Sequence, residues 1–304
     1  MLAADEVAVA VDIGGTTMRT GVFGSHYHPG DTIAELTKSP SAALEPDPVP
    51  VLVSMLRNAI PSGKRLGGAV LGLPVMFDRD TRIPVSSPNL PGFVGCPVGQ
   101  RMSDTLGVPV LVDRDTVLMA TGEWIAGAAV GSPALLAVYI GTGVGATMLF
   151  DGKPYRGTSG GAVEIGHIPI RNAGTCCICG NTDCLEAYAS GHVLNAVARD
   201  AAIPVERIFT SPETARAVAD YADALGQALA CAVNMFDPDT LLIGGGLARR
   251  PGFPLERVVT TARAHMRAPA PRNFVRIVPA AFGSRAIIPG AYHLLSNHRK
   301  ASPC

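Results

Sequence analysis

The sequence has no net charge: 25 Lys+Arg offset 25 Asp+Glu over 304 residues. Without an overall basic field nothing holds a nucleic acid or an anionic membrane, so neither partner is expected. It also has no run approaching 18 charge-free apolar residues, so no membrane-spanning helix is expected. The first residues, MLAADEVAVAVDIGG, lack a basic segment ahead of the apolar run, and a Gly-rich turn stands where an export signal would be cleaved. A soluble cytoplasmic protein is the expectation. An even set of cysteines is missing too: there are seven, which with no mark of secretion argues against a disulfide framework. What is present in quantity is apolar residues, 47% of the chain, enough for a substantial core in one large domain or two ordinary ones.

Four of those cysteines crowd into the stretch GAVEIGHIPIRNAGTCCICGNTDCLEAY, residues 161–188. Cys177, Cys179 and Cys184 with His167 upstream supply three thiolates and an imidazole, the donor set of a closed tetrahedral zinc site. Four protein ligands leave no position for water, so the ion is read as structural. Cys176 adjoins Cys177 and is a spare, because adjacent side chains diverge. The metal would tie the segment carrying Glu164 and His167 to the start of the segment carrying Glu186, fixing two carboxylates and an imidazole against one another. Cys96, Cys231 and Cys304 are read as reduced thiols.

Elsewhere the pattern alternates strands with helices. A valine-rich run over residues 7–13 predicts a strand carrying Asp12, then a tight turn at Gly14, Gly15, Thr16 and Thr17, then a second strand over 18–23. This is a hairpin, not the strand-to-helix unit of a Walker or dinucleotide loop. Its glycines would let backbone N–H groups approach a phosphate, although an ordinary Gly-Gly hairpin has the same pattern. A Gly-Thr turn of the same kind, Gly141, Thr142 and Gly143, joins predicted strands over 135–140 and 146–150, and the repetition favours the phosphate reading. Two prolines bracket Asn89 in SSPNLPGF, leaving its amide either a turn residue or a partner for hydroxyls. Residues 110–115 read as a strand ending in Asp115, either a candidate base at the carboxyl end of a sheet strand or a cap for the helix over 116–127. Helices are also predicted over 185–199, 213–236 and 285–295. A strand over 240–243 leads into Gly244, Gly245 and Gly246, assigned to a nucleotide lying on bare backbone, with close strand packing as the alternative.

In this order, the Asp12–Thr16 turn, SPNLPGF, the strand-end Asp115, GTGVG, GAVEIGH, CxCGNxxCLE and DPDTLLIGGG resemble the ROK family of bacterial sugar kinases over nearly the whole chain. The resemblance implies a two-lobed α/β fold of the actin-like ATPase, ribonuclease-H-like class. The smaller lobe would be residues 1–116 plus a last helix at 286–304, and the larger would be 117–285 with the zinc segment 164–186. ATP and a sugar would occupy the cleft. The implied reaction moves the γ-phosphoryl of Mg-ATP to the 6-hydroxyl of a hexose, with Asp115 as base. Asn89, Asp115, Glu164, His167 and Glu186 would meet sugar hydroxyls, Gly14, Gly15, Thr16, Thr17, Gly141, Thr142, Gly143, Gly244, Gly245 and Gly246 would meet the nucleotide, and Asp12 would order Mg²⁺ through water. SSPNLP, the Arg114-Asp115 pair, GHIPI and NMFDPDTLLIGGG point within the family to D-allose. Glucose, N-acetylmannosamine, or a sugar-sensing protein without catalysis are the alternatives. Most members have Asn where Arg114 stands. The family also implies a homodimer, and a DNA-binding role is disfavoured because the chain starts at the first kinase strand.

Overall fold

The computed structural model describes residues 2–15, 17–29, 37–87 and 89–301. In chain order the elements are β1 (Glu6–Ile13), β2 (Thr17–Gly24), β3 (Thr37–Pro40), α1 (Pro48–Ala59), β4 (Arg65–Leu73), β5 (Met76–Phe77), β6 (Pro84–Ser86), α2 (Val98–Leu106), β7 (Val110–Arg114) and α3 (Asp115–Ala126). They continue with β8 (Ala134–Ile140), β9 (Val144–Phe150), β10 (Lys153–Pro154), α4 (Gly191–Asp200), α5 (Ala215–Phe236), β11 (Thr240–Gly244), α6 (Leu255–His265), β12 (Arg276–Pro279) and α7 (Ile287–Ala301). The chain divides into two units, Met1–Val130 with Arg156–Ala162 and Ser284–Cys304, and Gly131–Tyr155 with Val163–Gly283.

The first unit is built on a sheet in the order β3-β2-β1-β4-β7. β1 and β2 form the expected hairpin, with Asp12 opposite Arg19, whereas β1, β4 and β7 run parallel. Parallel strands need cover on both faces, and alternation along β1 provides two different ones. Val9 and Val11 pack against Leu52, Leu56 and Met102 from α1 and α2. Ala8 and Ala10 face Leu118 of α3 and Ile287 and Ala291 of α7. On that side α3 and α7 approach closely, since a Cβ on Gly290 would fall 2.0 Å from the Leu118 carbonyl oxygen.

The second unit has a sheet in the order β10-β9-β8-β11-β12, with β8 antiparallel to β9 and parallel to β11. The apolar face of α5 is buried through Val218, Leu225, Leu229 and Val233, and Asp237 in left-handed backbone ends it. One expected element is corrected: residues 185–199 are not a single helix. A 3₁₀ turn at Leu185–Ala187 is followed by a break, and α4 starts only at Gly191, where the Ser190 hydroxyl accepts the Val193 N–H. A serine at that position satisfies an orphan helix donor and so marks a start rather than an interior. Among the described residues no helix is long and apolar enough to cross a membrane.

Candidate active site and metal centre

In the first unit the β1–β2 hairpin delivers the glycine turn. The Gly14 N–H donates to the Thr17 carbonyl (3.0 Å) and the Gly14 carbonyl accepts the buried Ser41 hydroxyl (2.6 Å). Gly14 therefore spends its N–H inside the turn. Thr16 lies outside the described residues, and Thr17 is the first residue of β2. Asn89 is exposed and lies against the turn, 3.0 Å from where a Gly15 Cβ would be. Asp12 is 5% exposed and pairs with Arg19 at 3.2 Å. Burial first, and the nearby Asp115 charge second, push its carboxyl up to about 7 against the pull of Arg19. A buried carboxylate under the influence of a second one is donor chemistry that suits a hard cation.

Asp115 opens α3 at the carboxyl end of β7, and its Oδ1 accepts the Thr116 N–H at 2.7 Å. Its carboxylate thus satisfies a first-turn donor of α3, and its charge also acts on Asp12. Sequence reasoning passed over Asp113, which is 2% exposed and held by Arg156 and Arg82. Its burial would raise the carboxyl, but the Arg156 fork and the Arg82 charge outweigh that and hold it below the ordinary range. No local pattern could have linked Asp113 to an arginine 43 residues away.

In the second unit the Gly141 N–H closes on the Gly143 carbonyl (2.9 Å), so Thr142 and Gly143 are left to offer donors from this turn. The Val144 N–H donates to Glu186 Oε2 at 2.8 Å, and a Cβ on Gly143 would lie 2.2 Å from the same oxygen. Glu186, expected at the sugar, thus has one oxygen joining the cysteine segment to the Gly-Thr turn. Gly166 lies under the same residue, 2.4 Å from the Val144 carbonyl oxygen to an added Cβ. That contact seats the 3₁₀ turn Ile165–His167, with Glu164 immediately before it. Of Gly244, which ends β11, and the two glycines that follow it, Gly244 and Gly245 pack closely. A Gly244 Cβ would lie 2.9 Å from the Tyr139 ring, and a Gly245 Cβ 2.3 Å from the Ile140 carbonyl oxygen, with φ at 95°. That is the close strand packing named as the alternative reading, and of the three Gly246 faces open space.

The ligand atoms of His167, Cys177, Cys179 and Cys184 all lie within 4.8 Å of one another. Cys179 and Cys184 sulfurs are 3.7 Å apart, and Cys177 Sγ is 3.7 Å from His167 Nδ1. Zinc–sulfur bonds of about 2.3 Å in a tetrahedron separate sulfurs by about 3.8 Å, so the spacing fits one ion. Cys176 is exposed and outside the group, as its adjacency to Cys177 required. Burial pushes the Cys184 thiol up to about 12 and raises Cys177, whereas the Asn181 N–H brings Cys179 down. The loop is shaped by Asp183, whose carboxylate accepts the Tyr188 hydroxyl and the N–H groups of Ala173, Gly174 and Thr175 and is lowered to about 2.

The family model described as ROK family matches residues 8–298. A glucokinase from Thermotoga maritima is 27% identical over 263 residues, 79% of this chain and 82% of that protein. An N-acetyl-D-glucosamine kinase from Mannheimia succiniciproducens is 27% identical over 260 residues, 78% of this chain and 83% of its own length. Among solved structures, a ROK family glucokinase from Streptomyces griseus in complex with glucose and AMPPNP is 25% identical, with a TM-score of 0.82 over 95% of this chain and 98% of that one.

Proposed function

This chain belongs to the ROK family, and from that premise we propose that it transfers the γ-phosphoryl of ATP to the 6-hydroxyl of a hexopyranose. The observation that carries the reading is Asp115 at the β7–α3 junction, its charge acting on Asp12 beside the Gly14–Gly15 turn. Phosphoryl transfer asks a protein for alignment and charge neutralisation more than for covalent chemistry. Asp115 orients the acceptor hydroxyl and takes its proton. Asn89, Glu164 and His167 hold the remaining hydroxyls; His167 has Nδ1 3.7 Å from Cys177 Sγ, which leaves Nε2 for a hydroxyl. Gly15, Thr142, Gly143 and Gly246 would offer backbone to the nucleotide. Mg²⁺ would be held at Asp12, where it supplies charge neutralisation for the phosphates. Zn²⁺ would be held by His167, Cys177, Cys179 and Cys184, and its contribution is to fix the imidazole.

D-allose is the acceptor favoured by the SSPNLP, Arg114-Asp115 and GHIPI set, and glucose is the second reading, favoured by the glucokinases above. A panel of D-allose, glucose, N-acetylmannosamine and N-acetylglucosamine in a coupled ADP-release assay separates them. Sugar binding with no ADP from any of them would leave a sensor in place of an enzyme. Asp115→Ala is expected to keep sugar affinity and lose at least about a hundredfold in kcat. Near-native turnover would remove Asp115 from the role. The same family membership suggests a cytoplasmic homodimer, whose mass light scattering would report.

A further inference from the structure

Two arginines and an aspartate at the end of β7 have no part in the reaction as described. Arg156 forks onto both oxygens of buried Asp113, at 2.8 and 2.5 Å. It comes from Arg156–Ala162, a segment that follows β10 in sequence but belongs to the first unit. Arg82 reaches the same carboxylate at 2.9 Å and the Val112 carbonyl at 3.2 Å. Its backbone is left-handed, φ 58°, and its guanidinium lies 4.5 Å over the Phe77 ring. A long side chain takes that conformation only where its surroundings impose it.

Asp113 passes the constraint along the chain. Its Oδ1 accepts the N–H of Arg114, the residue immediately before α3, and Asp115 follows with its own bond to the Thr116 N–H. Arg114 donates to the Ala162 carbonyl at 3.5 Å, returning to the segment that began with Arg156. Gly160 of that segment fits against the Phe77 carbonyl, which an added Cβ would approach to 2.6 Å. A buried ion pair is weak evidence for stability, because apolar residues of similar volume often serve as well. Its geometric effect here is definite: the strand end and the helix start are both tied.

We infer that Arg156, assisted by Arg82, is a positioning residue that holds Asp113, locks the β7–α3 junction and so aims the Asp115 carboxylate. The catalytic half of this inference rests on the hexose kinase reading, and the half concerning the junction rests on geometry alone. A displacement of about 1 Å at a reacting group can cost about a hundredfold in rate.

The test compares wild type, Arg156→Ala, Arg156→Lys and Asp113→Asn by steady-state kinetics with the hexose that wild type phosphorylates, and by amide hydrogen exchange of the free proteins. Arg156→Ala should lose about ten- to a hundredfold in kcat, with sugar KM changed less than about threefold, and residues 114–116 should exchange at least about tenfold faster. Arg156→Lys keeps the charge without the fork and should fall between. Asp113→Asn should resemble Arg156→Ala. If wild type phosphorylates no hexose, the kinase reading fails, and exchange at 114–116 alone decides whether the junction is held as inferred. Unchanged exchange there overturns the inference, as does accelerated exchange with native kcat. Where Arg156→Ala does not fold, Arg156→Lys supplies the same comparison.

Discussion

Two buried aspartates of the first unit titrate in opposite senses. The Asp12 carboxyl, raised by burial and by Asp115 to about 7, binds its proton more tightly folded than unfolded. Its contribution therefore falls as pH rises from about 4 to about 7, by about 4 kcal/mol at the upper end. Asp12→Asn in nucleotide- and metal-free buffer should melt several degrees higher than the parent at pH 8 and show no gain at pH 4, while losing kinase activity. A scan showing the same difference at both pH values would deny the buried charge. Asp113 is the reverse case: Arg156 and Arg82 lower it despite burial, so its contribution is present above the ordinary carboxylate pKa and disappears as pH falls below it. At the cysteines, Cys179→Ala should lose zinc, measured by metal analysis, together with sugar affinity, and wild type without zinc would refute the site. Asp12, Asn89, Asp115 and the cysteine set were legible because each is announced by neighbours in sequence: a glycine turn, a proline bracket, a strand end, a ligand spacing. Arg82 and Arg156 were not, because nothing near them in sequence says that they meet Asp113.

At the level of elements, neighbouring glycines after β11 divide cleanly. Gly245→Ala should destabilise the second unit by at least about 3 kcal/mol in urea, since it combines left-handed backbone with a clash on the Ile140 backbone. Gly246→Ala meets open space and should stay within about 0.5 kcal/mol of the parent, while raising KM for ATP. Equal melting of the two variants would contradict the packing account. The buried strands were readable from uninterrupted apolar runs, and the hairpins from their Gly-Thr turns. The break before α4 was not, because Leu185, Ala189 and Val193 keep a helical spacing across a turn that only the Ser190 cap and the contact of Gly191 with Gly141 reveal. The short amphipathic α2 and α6 escaped notice for want of a long periodic run.

For the molecule as a whole, a chelator should act locally. Removing zinc is expected to lower one calorimetric transition, that of the second unit, and to leave the first unit's in place. A single transition displaced as a whole would show the units melting together. Fold class was legible because order and spacing of motifs survive without any contact being known, whereas the assignment of Arg156–Ala162 to the first unit depends wholly on contacts. The first unit's division into three stretches of chain also bears on synthesis. Ile287, Ala291 and Leu295 of α7 join Leu118 of α3 in covering Ala8, Ala10 and Val70, so that flank of the earliest-made sheet stays only partly covered until α7 has been translated. The half that emerges first from the ribosome is thus the last to close, and the nascent chain exposes a sticky valine-and-alanine surface that a chaperone would be expected to shelter meanwhile.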